Sequence, residues 1–177
     1  MITQFDGFEI HPIHERDAWK LCDLMITNAD RFKRYFPKTL EQNLNPTLSQ
    51  FFVENKTKQF QKKEEFLFTL KHSETRELVG LVYIKELDWN KKQGEFAYCI
   101  GYTFKGQKLI SKSIEALSLY AFNTLGLETL QIIVHKDNIP SVKVALNTKF
   151  KWQKTLENEF TPSGKSPLDM ELYELYK

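Results

Sequence analysis

The stretch from residue 95 to residue 150 constrains the fold of this chain more than any other part of the sequence. Its pattern predicts a strand that ends at Ile100, a short turn over residues 102–106 and a helix that runs to Gly126. A second apolar strand follows, and Asn138 then begins another helix. Strands that alternate with helices in this way predict a sheet with helices packed on its faces.

The size and composition of the chain favour one globular unit. The 177 residues are enough for one domain with a sizeable core and short for two, so we expect a single domain over residues 1–177. The composition, with 41% hydrophobic residues and 14 Phe, is not that of a disordered chain. Cys22 and Cys99 are too few for a disulfide framework, and we expect reduced, buried thiols.

Charge and hydropathy argue against two classes of partner. The formal net charge is only +2, so no strong field attracts nucleic acid or a membrane surface. No apolar stretch approaches the length of a membrane span, and the first residues lack a signal-peptide pattern. We therefore expect a cytoplasmic protein, as a monomer or a homodimer.

The rest of the chain supplies the other layers of an α+β fold. Ala18, Leu21, Leu24 and Met25 recur at helical spacing, on a helix opened by residues 14–17. A further helix is predicted over residues 47–62. Strands are predicted over residues 8–13, 66–70, 78–87 and 95–101, the last three as an antiparallel meander, and over residues 150–155 and 170–176, around a loop at 157–167.

The order of elements in EFAYCIGYTFKGQKLISKSIEALSLYAFNTLGLETLQIIVH and KDNIPSVKVALNTKF resembles the cofactor-binding half of the GNAT superfamily of acyl-CoA-dependent N-acetyltransferases. The nearest likeness is to the RimJ/RimL-like subgroup, which acetylates the N-termini of ribosomal proteins. The resemblance implies a mixed, mostly antiparallel sheet of about seven strands flanked by about four helices. It also implies acetyl-CoA as acyl donor, CoA as product, and direct attack by the primary amine of a small molecule or a protein N-terminus.

A turn that leads into a helix suits the cofactor pyrophosphate, because unpaired N–H groups and the helix dipole favour anions there. In the family this turn is glycine-rich. Here Lys105, Lys108 and Ile110 occupy its characteristic positions, and only Gly106 remains as a nearby glycine. Lysines at 105, 108 and 112 add positive charge, although a side chain at Lys108 crowds the approach of phosphate. The resemblance assigns acetyl-CoA binding to Ile100, Gly101, Tyr102, Lys105, Gly106, Gln107, Lys108, Leu109, Ile110, Ser111, Asn138 and Ser141.

Asn138 is positioned to cap the last helix, with Pro140 in its first turn. The resemblance adds a contact between Asn138 and the cofactor arm. It also makes Ser141 the candidate that protonates the departing thiolate, because Ala145 stands where many relatives carry a tyrosine. Ser141 is otherwise an ordinary first-turn residue.

The sequence contains no obvious general base. Glu95 begins the strand where some relatives keep a catalytic carboxylate, and Glu86 lies on the preceding strand, although both are also typical strand-end charges. His135, just before Asn138, is more typical of a structural histidine, and no spacing indicates a metal site. An α-amine, with a pKa of about 7.7–8.0, needs little help from a base, whereas a lysine ε-amine near 10.4 needs much more.

Residues 31–38, RFKRYFPK, interleave four cations with three aromatic side chains and contain no acid. Three interpretations stay open: an amphipathic segment whose aromatic residues face the core, a wall of the acyl-acceptor cleft, and an RNA contact. Two alternatives to an enzyme follow from these features. One is a GNAT-fold binding or regulatory domain with a degenerate cofactor turn; Lys149, where relatives usually have glycine, also favours it. The other is an RNA- or ribosome-associated module.

Overall fold

A computed structural model describes residues 1–177 and contains one sheet of eight strands. The strands are β1 (Thr3–Phe5), β2 (Phe8–Pro12), β3 (Phe66–His72), β4 (Leu78–Asp88), β5 (Gln93–Ile100), β6 (Thr129–Val134), β7 (Lys151–Phe160) and β8 (Leu168–Tyr176). Their order across the sheet is β1-β2-β3-β4-β5-β6-β8-β7. Only β5 and β6 run parallel to each other, so the sheet is mixed and mostly antiparallel, as predicted.

Six α-helices accompany the sheet: α1 (Ala18–Thr27), α2 (Ala29–Tyr35), α3 (Pro37–Glu41), α4 (Pro46–Gln61), α5 (Leu109–Tyr120) and α6 (Ile139–Asn147). A π-helical turn over Ala121–Leu125 extends α5. Gly126 ends this extension with φ 76°, a left-handed conformation that glycine adopts without steric cost. None of the helices combines the length and apolar composition that a membrane span requires.

Two apolar clusters hold the helices against opposite faces of the sheet. Ile114, Leu117 and Ala121 of α5 and its extension are fully buried with the alternating residues Leu130 and Ile132 of β6 in the larger cluster. The smaller cluster is built from α1, α2, α3 and α4 against the other face, with members Leu21, Met25, Phe32, Val53, Leu81 and Cys99. The sheet therefore separates the α1–α4 side of the molecule from the α5–α6 side.

The parallel pairing of β5 and β6 is short, and this creates the main opening in the sheet. The pairs run from Gln93 with Thr129 to Phe96 with Ile132, and no pairing continues beyond Phe96. The rest of β5, up to Ile100, pairs only with β4. We call the gap between the two strands beyond Phe96 the β5–β6 opening.

The structure corrects the sequence prediction at the ends of the chain and in the first half. There are eight strands and six helices, because β1, α2 and α3 are short elements without a clear periodic pattern. The loop expected at residues 157–167 is shorter, since β7 continues to Phe160 through two register shifts against β8. On α4, Phe52 is buried whereas Phe51 is 65% exposed, so the apolar residues of that helix do not all face the core.

Candidate functional site

The main chain of β5 is available on the side of the β5–β6 opening. The Gly101 N–H donates to the Val79 carbonyl at 2.8 Å, so the odd-numbered residues of this stretch direct their peptide groups toward β4. Alternation directs the peptide groups of Tyr98 and Ile100 toward the opening, where no strand pairs with them. Such an edge can hydrogen-bond an extended ligand and can donate an N–H to a developing negative charge.

The turn after β5 leads to an open helix N-terminus. Lys108 is the N-cap of α5 and has φ 57°, a left-handed conformation that is unusual for a residue other than glycine. The first N–H in this region with a helical partner is that of Lys112, which donates to the Lys108 carbonyl at 3.1 Å. Helix geometry therefore leaves the N–H groups of Leu109, Ile110 and Ser111 free to bind an anion.

The side chains of the turn point in different directions. Leu109 and Ile110 are buried in the core, whereas Lys105, Gly106, Gln107 and Lys108 are exposed. Lys112 does not supply the free charge that the sequence suggested, because it forms an ion pair with Asp6 of the β1–β2 turn. Lys105 and Lys108 have no carboxylate partner. The residues present at this turn thus fit a pyrophosphate bound by main-chain N–H groups and flanked by two lysines.

Asn138 occupies the N-cap position of α6, but its side chain makes no capping hydrogen bond. The prediction that this side chain caps the helix is therefore wrong. Its backbone φ of −82° and ψ of 66° are not the extended geometry that a side-chain cap adopts. The half-buried amide has no partner in the chain and stays available to a ligand.

Ser141 lies in the first turn of α6 beside a tyrosine that the sequence analysis did not single out. The Tyr98 hydroxyl donates to the Ser141 carbonyl oxygen at 3.3 Å, which fixes the first turn of α6 next to β5. Burial raises the pKa of Tyr98, so its hydroxyl stays protonated at physiological pH. The Ser141 side chain is half-buried and makes no hydrogen bond within the chain. Two hydroxyl groups, rather than one, therefore stand near the departing thiolate expected in this region.

Glu95 lies at the inner end of the β5–β6 opening, one residue before the last parallel pair. Its side chain is 14% exposed and forms an ion pair with Lys85 at 3.0 Å. Burial raises the pKa of the Glu95 carboxyl, while the neighbouring Lys85 opposes that shift. A partly desolvated carboxylate of this kind is a better proton acceptor than one in water.

The other candidate bases are less well placed. Glu86 is exposed, has φ 48°, and lies where the β4–β5 register shifts. It lines a groove with Glu64, Glu65 and Trp89 at the end of β4, and its charge contributes to the raised pKa of the Glu95 carboxyl. His135 accepts a hydrogen bond from the Asp137 N–H at 3.2 Å. It borders a cleft of about 540 Å³ against the β7–β8 hairpin.

Residues 31–38 form most of α2 and the start of α3, on the α1–α4 face of the sheet. Phe32 is 2% exposed and Phe36 stacks on Tyr83 of β4 with ring centroids 6.3 Å apart, whereas Tyr35 is 47% exposed. The core interpretation therefore holds for the two phenylalanines only. The segment also contacts the end of β5, since Arg31 Nη1 donates to the Ile100 carbonyl at 3.1 Å.

Asn28, at the junction of α1 and α2, makes a second connection that the sequence did not reveal. Its Oδ1 accepts a hydrogen bond from the Tyr102 N–H at 2.8 Å, and its Nδ2 donates to the Leu24 carbonyl at 2.9 Å. The bond to Tyr102 joins residues 74 positions apart, so no local pattern signals it. It brings the α1–α4 side of the molecule to the end of β5.

Residues 8–151 match the family described as Acetyltransferase (GNAT) domain. Over 176 residues, the chain is 22% identical to the uncharacterized N-acetyltransferase YoaA of Bacillus subtilis, covering 99% of this chain and 97% of that protein. It is 24% identical over 110 residues to the uncharacterized N-acetyltransferase p20 of Bacillus licheniformis, which covers 62% of this chain and 61% of that protein. The family match confirms the resemblance inferred from the sequence.

Several solved structures share this fold. The ribosomal-protein-S5-alanine acetyltransferase from Vibrio fischeri superposes with a TM-score of 0.91 and 14% identity, over 98% of this chain and 95% of that chain. RimL, a ribosomal L7/L12 alpha-N-protein acetyltransferase in complex with coenzyme A, gives a TM-score of 0.90 and 16% identity, over 99% and 97%. The microcin C7 self immunity acetyltransferase MccE, in complex with acetyl-CoA and AMP, superposes with a TM-score of 0.87 and 20% identity, over 98% of this chain and 94% of that chain.

Proposed function

The chain belongs to the GNAT family of acetyl-CoA-dependent N-acetyltransferases, and we propose that its acceptor is the α-amine of a peptide or protein N-terminus. The observation that carries this proposal is the β5–β6 opening. Main chain at Tyr98 and Ile100 that no strand pairs with on this side lies there between a partly desolvated carboxylate, Glu95, and the free first turn of α5. Acetyl-CoA supplies the thioester whose acetyl group is transferred.

Different groups of the protein bind the pyrophosphate and the extended arm of acetyl-CoA. The first-turn N–H groups of α5 hold the pyrophosphate, with Lys105 and Lys108 adding positive charge at the surface. The peptide groups that β5 leaves without a partner, those of Tyr98 and the Ile100 N–H, hold the extended arm, and the Asn138 amide contacts it from the start of α6. This arrangement brings the thioester to the level of Tyr98.

Transfer then needs one proton acceptor, one hydrogen-bond donor to the oxyanion and one proton donor. Glu95 takes a proton from the acceptor ammonium, and the neutral amine attacks the acetyl carbonyl as the new N–C bond forms. The Tyr98 N–H stabilises the negative charge that develops on the carbonyl oxygen. As the C–S bond breaks, Ser141 or the Tyr98 hydroxyl protonates the thiolate, whose free pKa is about 8.5. The second proton that the amine nitrogen loses on forming the amide restores that hydroxyl. No covalent intermediate on the protein is required.

The identity of the base supports an α-amine. A carboxylate, even one whose pKa is raised by burial, is poorly matched to an ε-ammonium of pKa about 10.4 and better matched to an α-ammonium of pKa about 7.7–8.0. The names of structural neighbours point the same way, since RimL acts as an alpha-N-protein acetyltransferase. The acceptor enters on the α1–α4 face, between α2 and β5.

The test is a transfer assay with acetyl-CoA and a panel of amines, in which released thiol and the mass of each acceptor are followed together. Acetylated peptide N-termini and equal amounts of free CoA are expected. Binding of acetyl-CoA without thiol release on any amine would instead support a binding domain that has lost its chemistry. Steeply salt-dependent RNA binding without acetyl transfer would support a ribosome-associated module.

A further inference from the structure

Arg31 stands where the acceptor side of the molecule meets the cofactor strand. Its Nη1 donates to the carbonyl of Ile100, the last residue of β5, whose peptide group faces the β5–β6 opening. The nearby hydrogen bond from the Tyr102 N–H to Asn28 fixes the start of α2 against the same strand end. The guanidinium is therefore held at the entrance of the proposed site.

The charge of Arg31 has no counter-ion in the chain. Arg76 forms an ion pair with Glu9, and Arg16 and Arg34 are exposed to solvent. Arg31 is half-buried and has no carboxylate within ion-pair distance. A guanidinium carries five N–H donors, and the Ile100 carbonyl is its only hydrogen-bond partner in the chain. A partly desolvated cation with unused donors is suited to binding an anion.

The surroundings of Arg31 favour a planar anion. Its Cζ atom lies 5.7 Å from the centroid of the Tyr102 ring and 5.8 Å from that of Phe32, so the two rings flank the guanidinium. Guanidinium groups bind carboxylates through two parallel hydrogen bonds. Lys33, Arg34 and Lys38 are exposed on the same segment and add a positive field that attracts an anionic ligand.

The distance along β5 limits where the anion lies on the acceptor. The proposed oxyanion donor, the Tyr98 N–H, is two residues from Ile100, which corresponds to about 7 Å along a strand. An extended peptide advances by about 3.3–3.6 Å per residue. An acceptor whose N-terminal amine reacts at the level of Tyr98 therefore brings the side chain of its second or third residue to Arg31.

We propose that Arg31 is a specificity-determining residue that selects acceptor peptides with an acidic side chain at the second or third position. This inference rests on the proposed acetyl transfer to an α-amine and adds the chemical class of the acceptor. Arg31 binds the acidic side chain with the donors that Ile100 leaves free. The amine is thereby held at the level of Tyr98, on the side of the opening where Glu95 lies.

The test compares matched, C-terminally amidated tetrapeptides that carry Asp, Asn or Lys at the second or third position. The measured quantity is kcat/KM at saturating acetyl-CoA, for the unmodified protein and for Arg31→Gln, Arg31→Lys and Arg34→Gln. The unmodified protein is expected to prefer Asp over Asn by about tenfold at one of the two positions, as for a charge-assisted hydrogen bond. Arg31→Gln abolishes the preference and Arg31→Lys keeps part of it. The matched control Arg34→Gln keeps most of it, because an exposed charge contributes only a field that salt screens.

Two results would overturn the inference while leaving acetyl transfer intact: equal rates of the unmodified protein on Asp and Asn peptides, or an equal loss on both peptides in Arg31→Gln. The second result would mean that Arg31 only positions the end of β5. If no peptide is acetylated, the proposed peptide acceptor is wrong. The rates of acetylation of a small acceptor, an ω-amino acid, and of its amide are then compared. An Arg31-dependent preference for the acid would then support anion recognition, and equal rates would refute it.

Discussion

Replacing Lys108 by glycine separates the two ways in which the turn before α5 can bind acetyl-CoA. Lys108 holds φ 57° at the N-cap of α5, in a region that costs an L-residue about 1–2 kcal/mol and glycine almost nothing. Glycine also loses about 0.4–1 kcal/mol more chain entropy on folding. The difference, about 0–1.6 kcal/mol, predicts that Lys108→Gly stabilises the protein by about 0.8 kcal/mol in the middle of that range, which raises Tm by about 2–3 °C in a chain of this length.

The same substitution tests what holds the pyrophosphate. If main-chain N–H groups of Leu109, Ile110 and Ser111 do so, loss of one exposed lysine weakens acetyl-CoA binding by no more than about fivefold, and less at high salt. Lys108→Gln should weaken binding equally without raising Tm. Lys149→Gly is the matched control, because Lys149 has φ 66° outside the turn and should raise Tm without changing the Kd.

Calorimetry with acetyl-CoA and differential scanning calorimetry measure the two quantities. A loss of more than about tenfold in affinity for both Lys108 variants would show that the side chain, not the backbone, binds the cofactor. A rise in Tm for Lys149→Gly but not for Lys108→Gly would refute the argument from the left-handed conformation.

Three further predictions concern the neighbours of the β5–β6 opening. Glu95→Gln should lower kcat/KM by about a hundredfold. Because folding raises the pKa of Glu95, the Glu95→Gln variant should also be more stable than the unmodified protein at neutral pH. The gain in unfolding free energy, measured by urea denaturation, should shrink toward acid pH, and a gain that grows toward acid pH would contradict the raised pKa. Tyr98→Phe and Ser141→Ala should identify the proton donor. The variant that removes the donor should lower kcat more than it changes the Kd for acetyl-CoA. Unchanged turnover in both variants would exclude both hydroxyls as the donor. Asn28→Ala should cost about 1–3 kcal/mol of unfolding free energy, because it leaves the Tyr102 N–H without its partner, and a cost below 0.5 kcal/mol would contradict this.

The part of the fold that depends on local periodicity was predictable from the sequence. The alternation of Leu130, Ile132 and Val134 marks a strand buried on one face, and all three side chains are buried in β6. Ile114 and Leu117 recur at helical spacing and are fully buried on α5. The elements between residues 95 and 150 could be predicted because they are long, periodic and connected by short turns.

The parts that the sequence did not predict depend on contacts between distant residues or on backbone conformation. Arg31 reaches Ile100, Asn28 reaches Tyr102 and Tyr98 reaches Ser141, all across the tertiary structure. No spacing rule links such pairs, so the roles suggested here for Arg31 and Tyr98 emerge only from the fold. The left-handed conformation of Lys108 was likewise hidden, because lysine gives no signal for it.

The position of the acetyl group on a product peptide tests the central claim most directly. A peptide with a free N-terminus and an internal lysine is incubated with acetyl-CoA at pH 7.5, and fragment-ion mass spectrometry assigns the acetylated nitrogen. At this pH about a third of an α-amine is neutral, compared with about 0.1% of an ε-amine. The account predicts acetylation of the α-amine, at a rate that rises with pH as the Glu95 carboxyl ionises and then levels off. Faster acetylation of the internal lysine, in this peptide or in one with a blocked N-terminus, would contradict it.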